Sequence, residues 1–346
     1  DVHLEAVDGD TGPSELEIEH RPALRDAKAA GVVIDWEQID PVYKKDVTAF
    51  IGVSIEHPKY FEGFARNGLN PDLGGVYAGV TTIVDAGSAG AATFGGFPRH
   101  ILPHCHTEII PFLHICQTGL ATNPDIIAET SIDLDDTLRV LDQYKGLICG
   151  IKARMVSPAL EIMGMEMPRL ARRAARESGT RLMVHIGDTE KRYDPKVIHS
   201  LLPILEEGDI LTHYFTANPG GVLDTNGKLV PEARAARDRG VWFDTAHGRM
   251  NFSFDVGRRV IEQGVLPHCI STDLTVPGRI HTVHSMTEMM TRFLGLGFTL
   301  AQVVTMCTKN PAHAIGAGIG QDLDRALDAF DVDVTLEDCR RFAELS

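Results

Sequence analysis

From residue 81 onward, short apolar runs rich in β-branched residues alternate with longer stretches in which apolar positions recur every three or four residues. The runs are 81–85 (TTIVD), 109–116 (IIPFLHIC), 147–154 (LICGIKAR), 181–187 (RLMVHIG), 209–215 (DILTHYF), 241–247 (VWFDTAH) and 269–274 (CISTDL). Between them, 167–178, 196–206, 231–239 and 253–263 read as helices, several closed by a glycine suited to a left-handed cap. The spacing repeats roughly every thirty residues, the length of a strand-helix unit. Strands this continuously apolar are buried on both faces, as in a parallel sheet wrapped by helices. An eighth strand is expected one period before residue 81, and 49–56 (AFIGVSIE) supplies it. The pattern predicts an α/β fold, a (β/α)8 TIM barrel, with a doubly wound open sheet as the alternative. Residues 1–46, acidic and punctuated by prolines at 13, 22 and 41, read as an N-terminal appendage to a barrel over 47–320, and 321–346 as an acidic tail.

Composition narrows the partners. The 346 residues carry 33 Lys and Arg against 48 Asp and Glu, a net charge of −15, which repels phosphate backbones and anionic membranes. No apolar run approaches the ~20 residues of a membrane span, and the opening Asp1-Val2-His3-Leu4-Glu5 has no signal-peptide pattern. The 6 cysteines are scattered without a CxxC pair, as in a reducing compartment. A cytoplasmic protein acting on small molecules is expected, with no nucleic-acid or membrane partner.

In a parallel barrel the functional residues stand at the C-terminal ends of the strands. Five consecutive runs end in polar groups: Lys152, His185, His213, His247 and Asp273. Any one alone reads as a core histidine or a strand-end ion pair, but their succession in one register points to a site. Imidazoles and a carboxylate converging there suit a divalent metal such as Zn²⁺. A lysine beside them suffers desolvation and like-charge repulsion. Driven down from ~10.4, it either pairs with an acid such as Asp273 or loses its proton and takes up CO₂ as a carbamate. Arg154, Tyr214 and His247 are placed to meet a substrate, with Arg154 suited to clamp a carboxylate or, alternatively, to pair with Asp188.

The segments GVTTIVDAGSAG (79–90), GIKAR around Lys152, MVHIGD around His185, ILTHYF around His213, ISTDL around Asp273 and TKNPAHAIG (308–316) resemble the amidohydrolase superfamily, and more narrowly its deacetylase-type, dihydroorotase-like branch. The resemblance spans residues 48 to 320 in order. It implies two zinc ions per chain bridged by carboxylated Lys152, with His185 and His213 on the second metal and Asp273 as metal ligand and proton shuttle. It also implies a homo-oligomer and hydrolysis of an amide or ester, deacylation of an N-acyl amino acid or acylated hydroxy acid being favoured. Cyclic amide, imide or lactone hydrolysis is the alternative reaction, and a non-catalytic ligand-binding barrel the alternative class.

Two departures stand out. The family's first strand ends in His-x-His, whereas here His57-Pro58-Lys59 occupies the place, so His57 is the expected ligand; His3 and Glu5 form a competing candidate. A complete His-x-His, His104-Cys105-His106, precedes strand 3 and belongs by topology to the opposite rim. The small β-sandwich that the family builds from its termini is reduced or altered.

Overall fold

The computed structural model describes residues 53–54 and 68–316. Seven strands form one sheet: β1 (Val53–Ser54), β2 (Thr82–Asp85), β3 (Glu108–His114), β4 (Gly150–Arg154), β5 (Arg181–His185), β6 (Ile210–Thr212) and β7 (Trp242–Asp244). Every neighbouring pair is parallel, and spatial order equals chain order. A doubly wound sheet reverses its strand order at a switch point. This one never does, which sets the open-sheet alternative aside and leaves a singly wound parallel half-barrel. The eighth run follows β7 without making a full ladder. Asp244 and Cys269 form a single parallel bridge, and the amides of His247 and Gly248 donate to the carbonyls of Ser271 and Thr272 at 3.0 and 2.9 Å.

Helices α1 (Leu134–Gln143), α2 (Glu166–Ser178), α3 (Pro231–Asp238), α4 (Phe254–Glu262), α5 (Met286–Gly295), α6 (Leu300–Cys307) and α7 (Lys309–Ile315) cover the sheet. The sequence sets their limits. Ser253 Oγ accepts the Val256 amide at 3.3 Å to start α4, Thr299 and Gln302 form a capping box on α6, and left-handed Gly179 ends α2. The stretch expected as a helix over 196–206 is split into α-helical Val197–Leu201 and a tighter turn, Leu202–Ile204, where Pro203 cannot donate. No helix among the described residues is long and apolar enough to cross a membrane.

Strand alternation divides the core into two layers. Ile151, Ala153, Leu182, Val184, Leu211 and Phe243 face outward and join Ala171 and Ala175 of α2 in the larger cluster. Val84, Ile110, Phe112, Met183, Ile210 and Cys269 face inward and meet in a second cluster with Ile315 of α7. Residues from β2 to the eighth run share that inner cluster only because the sheet curls. The appendage (1–46), the tail (321–346), and the candidate ligands His57, Lys59, His3 and Glu5 all lie outside the described residues.

Candidate active site

The register fixes what faces the inside of the curl at the C-terminal rim. Arg154 pairs with His185, and His185 with Thr212. Alternation puts Lys152, Arg154 and His185 on the inner face. His213, one residue past Thr212, belongs by alternation to the outer face. A left-handed backbone at His213 (φ 68°) breaks the alternation, and its ring lies 4.0 Å from that of His185 at an interplanar angle of 65°. Ala246 (φ 32°) and Asp273 (φ 47°) turn left-handed at the ends of the next two runs. Non-glycine residues occupy that region rarely and at a cost, so three in succession mark a rim shaped for something other than stability.

His213 Nδ1 lies 2.6 Å from the Ala246 carbonyl oxygen. Donation to that oxygen puts the ring's proton on Nδ1 and its lone pair on Nε2, the tautomer of a metal-binding imidazole. Lys152 is buried, and burial pushes its ammonium down to about 7, against the pull of Asp273, Asp244 and Asp85 and with the help of Arg154. Gly87 is the surface on which its stem rests: at φ 84°, a Cβ there would stand 2.5 Å from Lys152 Cβ. Asp85 shapes this loop by accepting from the amide and hydroxyl of Ser88 at 2.7 and 2.6 Å. Asp273 is half-buried, and its Oδ2 would be 2.2 Å from a Cβ on Gly248.

Three expected substrate contacts fare differently. Tyr214 is a core residue. Its hydroxyl donates to the Val265 carbonyl at 3.0 Å, its ring lies 4.6 Å from Phe243, and burial raises its phenol further above its ordinary value. The alternation that His213 escapes sends Tyr214 outward. His247 is also engaged on both nitrogens, Nδ1 at 2.7 Å from the Gly248 carbonyl oxygen and Nε2 in contact with Arg292, while Phe252 stacks on its ring at 4.1 Å. Burial holds it neutral, down to about 4. Arg154 stays at the rim, but its ion-pair partner is Asp125 at 3.3 Å. Asp188 is occupied instead by the amide and hydroxyl of Ser157 at 3.0 and 2.9 Å.

Sequence reasoning passed over two inward-facing groups. His114 ends β3 just as His185 ends β5, and the strand-end criterion would have found it. Asp244, in the middle of VWFDTAH, is buried and receives the hydroxyls of Thr212 and Ser271, each at 2.7 Å. Burial pushes its carboxyl up to about 6. His104-Cys105-His106 precedes β3, at the opposite rim, with the His106 side chain 79% exposed and tied to Asp72.

Among the described residues, no three His, Cys, Asp or Glu side chains gather as a metal-binding group. The donor set nonetheless fits a divalent cation. Two adjoining imidazoles, one with its tautomer fixed, stand at the same rim as a buried lysine whose charge is opposed and an aspartate seated against a glycine.

No protein-family model matches the chain. A protein named deacetylase from Agrobacterium fabrum is 32% identical over 271 residues, covering 78% of this chain and 65% of its own length, so the chain spans less than two thirds of that relative. A dihydroorotase crystal structure is 31% identical, with a TM-score of 0.67 over 79% of this chain and 70% of its own. An adenine deaminase structure is 27% identical with a TM-score of 0.68, over 76% of this chain and 70% of its own. Inward lysine and histidine pair, singly wound sheet and these likenesses agree: the chain belongs to the amidohydrolase superfamily.

Proposed function

We propose that the chain is a metal-dependent hydrolase that deacylates an N-acyl amino acid or an acylated hydroxy acid at the C-terminal rim of a closed (β/α)8 barrel. The observation that carries the reading is the pair of adjoining imidazoles, His185 and His213, at the rim where Lys152 is buried with its charge opposed. The likeness to a protein named deacetylase supports the reaction class.

In this reading His185, His213, Lys152 and Asp273 would hold zinc, with His57, or alternatively His3 and Glu5, taking the place of the family's first-strand His-x-His. Near neutral pH the uncharged Lys152 amine can add CO₂: an N–C bond forms at Nζ as one C=O π bond of CO₂ opens, an amine proton passes to solvent, and the resulting carbamate is an anion that would help hold the metal. A divalent cation, when bound, lowers the pKa of water and polarises a carbonyl. Asp273 takes the proton of the attacking water at its carboxylate and returns it to the leaving nitrogen or oxygen. Arg154 receives the substrate's carboxylate. A cytoplasmic homo-oligomer completes the reading.

Metal analysis of the full chain, with turnover of a panel of N-acyl amino acids, tests it. About two equivalents and turnover are expected from a binuclear site. A metal-free chain without turnover overturns the reading in favour of a binding module. Lys152→Ala should lose metal and regain part of it when a short carboxylic acid replaces the carbamate; an unmodified Lys152 by mass spectrometry in an active, loaded enzyme would remove the bridge. The dihydroorotase likeness favours a second reading, cyclic amide hydrolysis, which ring substrates in the same panel separate.

A further inference from the structure

Beside the Lys152 group, the rim holds a second buried cluster, made of His114 at the end of β3, Asp125 in the loop that follows, and Arg154 at the end of β4. Asp125 Oδ2 stands 3.3 Å from His114 Nε2 and 3.3 Å from Arg154 Nη1. The His114 and Asp125 side chains are 0% and 2% exposed, whereas that of Arg154 is 21% exposed. The Cys116 amide donates to His114 Nδ1 at 3.0 Å, so the ring's proton sits on Nε2, the nitrogen 3.3 Å from the carboxylate. The Cys116 thiol donates to the Asp125 carbonyl at 2.9 Å, tying the loop to the strand. The cluster is therefore anchored from β3 on one side and open to the rim on the other.

We propose that Asp125, held in place by His114, is the positioning residue that aims Arg154 at the substrate's carboxylate. The inference rests on the reading of Arg154 as the carboxylate clamp. Arg154 ends β4 with its side chain 21% exposed, so an unrestrained guanidinium would extend into solvent, away from any substrate. A buried acid behind it holds it at the rim. Among the described residues Asp125 is its ion-pair partner, through one nitrogen of a group with five N–H donors, and the remaining fork suits the two oxygens of a carboxylate. The same contact holds the Asp125 carboxyl well below the usual carboxylate range, so the anion persists at neutral pH. A mere loop anchor would need no partially exposed arginine at its end.

The test uses metal-loaded full-length chain and compares KM and kcat for the best N-acetyl amino acid with those for its primary carboxamide. Metal content and melting temperature control for folding. Asp125→Asn should raise KM for the acid about 10- to 100-fold, with kcat within about 3-fold and the carboxamide unaffected. Arg154→Gln should give the same pattern, the double variant should be no worse than Arg154→Gln alone, and Asp125→Glu should restore part of the loss. If Asp125→Asn fails to fold, His114→Asn, which keeps an acceptor for the Cys116 amide but withdraws the donor from Asp125, should give a smaller rise of the same kind. An unchanged acid-to-amide ratio in Asp125→Asn or, failing it, His114→Asn, alongside a changed one in Arg154→Gln, overturns the inference and spares the clamp. Additive losses in the double variant also overturn it. An unchanged ratio in Arg154→Gln removes the clamp, and the absence of turnover on every N-acyl amino acid and every acylated hydroxy acid removes the proposed function itself.

Discussion

At the scale of single residues, position on a strand decides chemistry more than residue type does. His213 and Tyr214 are neighbours, yet one reaches the inner rim through a left-handed backbone and the other is locked in the outer core by the Val265 carbonyl. His247 shares the residue type of His185 and His213, but its ring contacts Arg292, Gly248 and Phe252. Asp273, the proposed proton shuttle, is half-buried, left-handed, and seated against Gly248 with no room for a larger neighbour. Replacing it by asparagine keeps shape and polarity but removes the proton acceptor. Asp273→Asn should keep most of its metal while losing about 10²- to 10⁴-fold in kcat, the range of a positioned acid-base. Metal content and turnover measured on the same preparation check this, and undiminished kcat would place the shuttle elsewhere.

At the scale of elements, one tight constraint bears directly on the site: the contact between the loop after β2 and the stem of Lys152. Gly87 sits at φ 84° with Lys152 Cβ 2.5 Å from where its own Cβ would be, and a strand Cβ has no rotamer by which to withdraw. Gly87→Ala should cost about 2–4 kcal/mol from left-handed strain and overpacking together, and should reduce metal content by displacing the lysine. Gly264→Ala supplies the control, because Gly264 is also left-handed (φ 76°) but has nothing within 4 Å of the added carbon. It should cost only about 1 kcal/mol and leave metal unchanged, both read by urea unfolding and metal analysis. The elements themselves were legible from periodicity, since every strand from β2 to β7 falls on the run that announces it, β3 alone starting one residue early at Glu108, and Ser253 and Gly179 mark helix ends as their residue types suggest. The inward placement of Lys152 and His185 was legible because it follows alternation. In the sequence His213 and Tyr214 read alike as rim residues; that the backbone sends one inward and the other into the outer core was not legible, because a positive φ leaves no residue-type signature in histidine. Asp125 lies in a loop with no periodicity at all, and only the fold brings it to Arg154.

At the scale of the whole molecule, buried titratable groups make stability depend on pH in two windows. His268 accepts the Phe243 amide on Nδ1 at 2.8 Å and is pushed down to about 4 by burial and then by Arg237; His247 is pushed to about the same value, and burial lowers His114 as well. Unfolded, each titrates near ~6.5. Between the two values the unfolded chain binds protons that the native state refuses, so these histidines contribute stability that is complete above ~6.5 and lost as pH falls toward 4. Asp244 acts in the opposite sense: its folded carboxyl, raised to about 6, favours the native state at low pH and gives that up as pH rises from ~3.9 to 6. Histidines outnumber the raised carboxyl, so net stability should rise with pH across this window. Asp125 and Asp188, both lowered, lose their contribution only below ~3.9, a separate and more acidic step. His268→Asn isolates one term, because asparagine Oδ1 can accept the Phe243 amide in place of Nδ1 yet cannot titrate. Urea unfolding from pH 4.5 to 7 should show the slope of stability against pH reduced by about one proton in this variant, with stability at pH 7 little changed. An unaltered slope would mean that His268 is protonated within the folded chain and that the Phe243 contact is broken in solution.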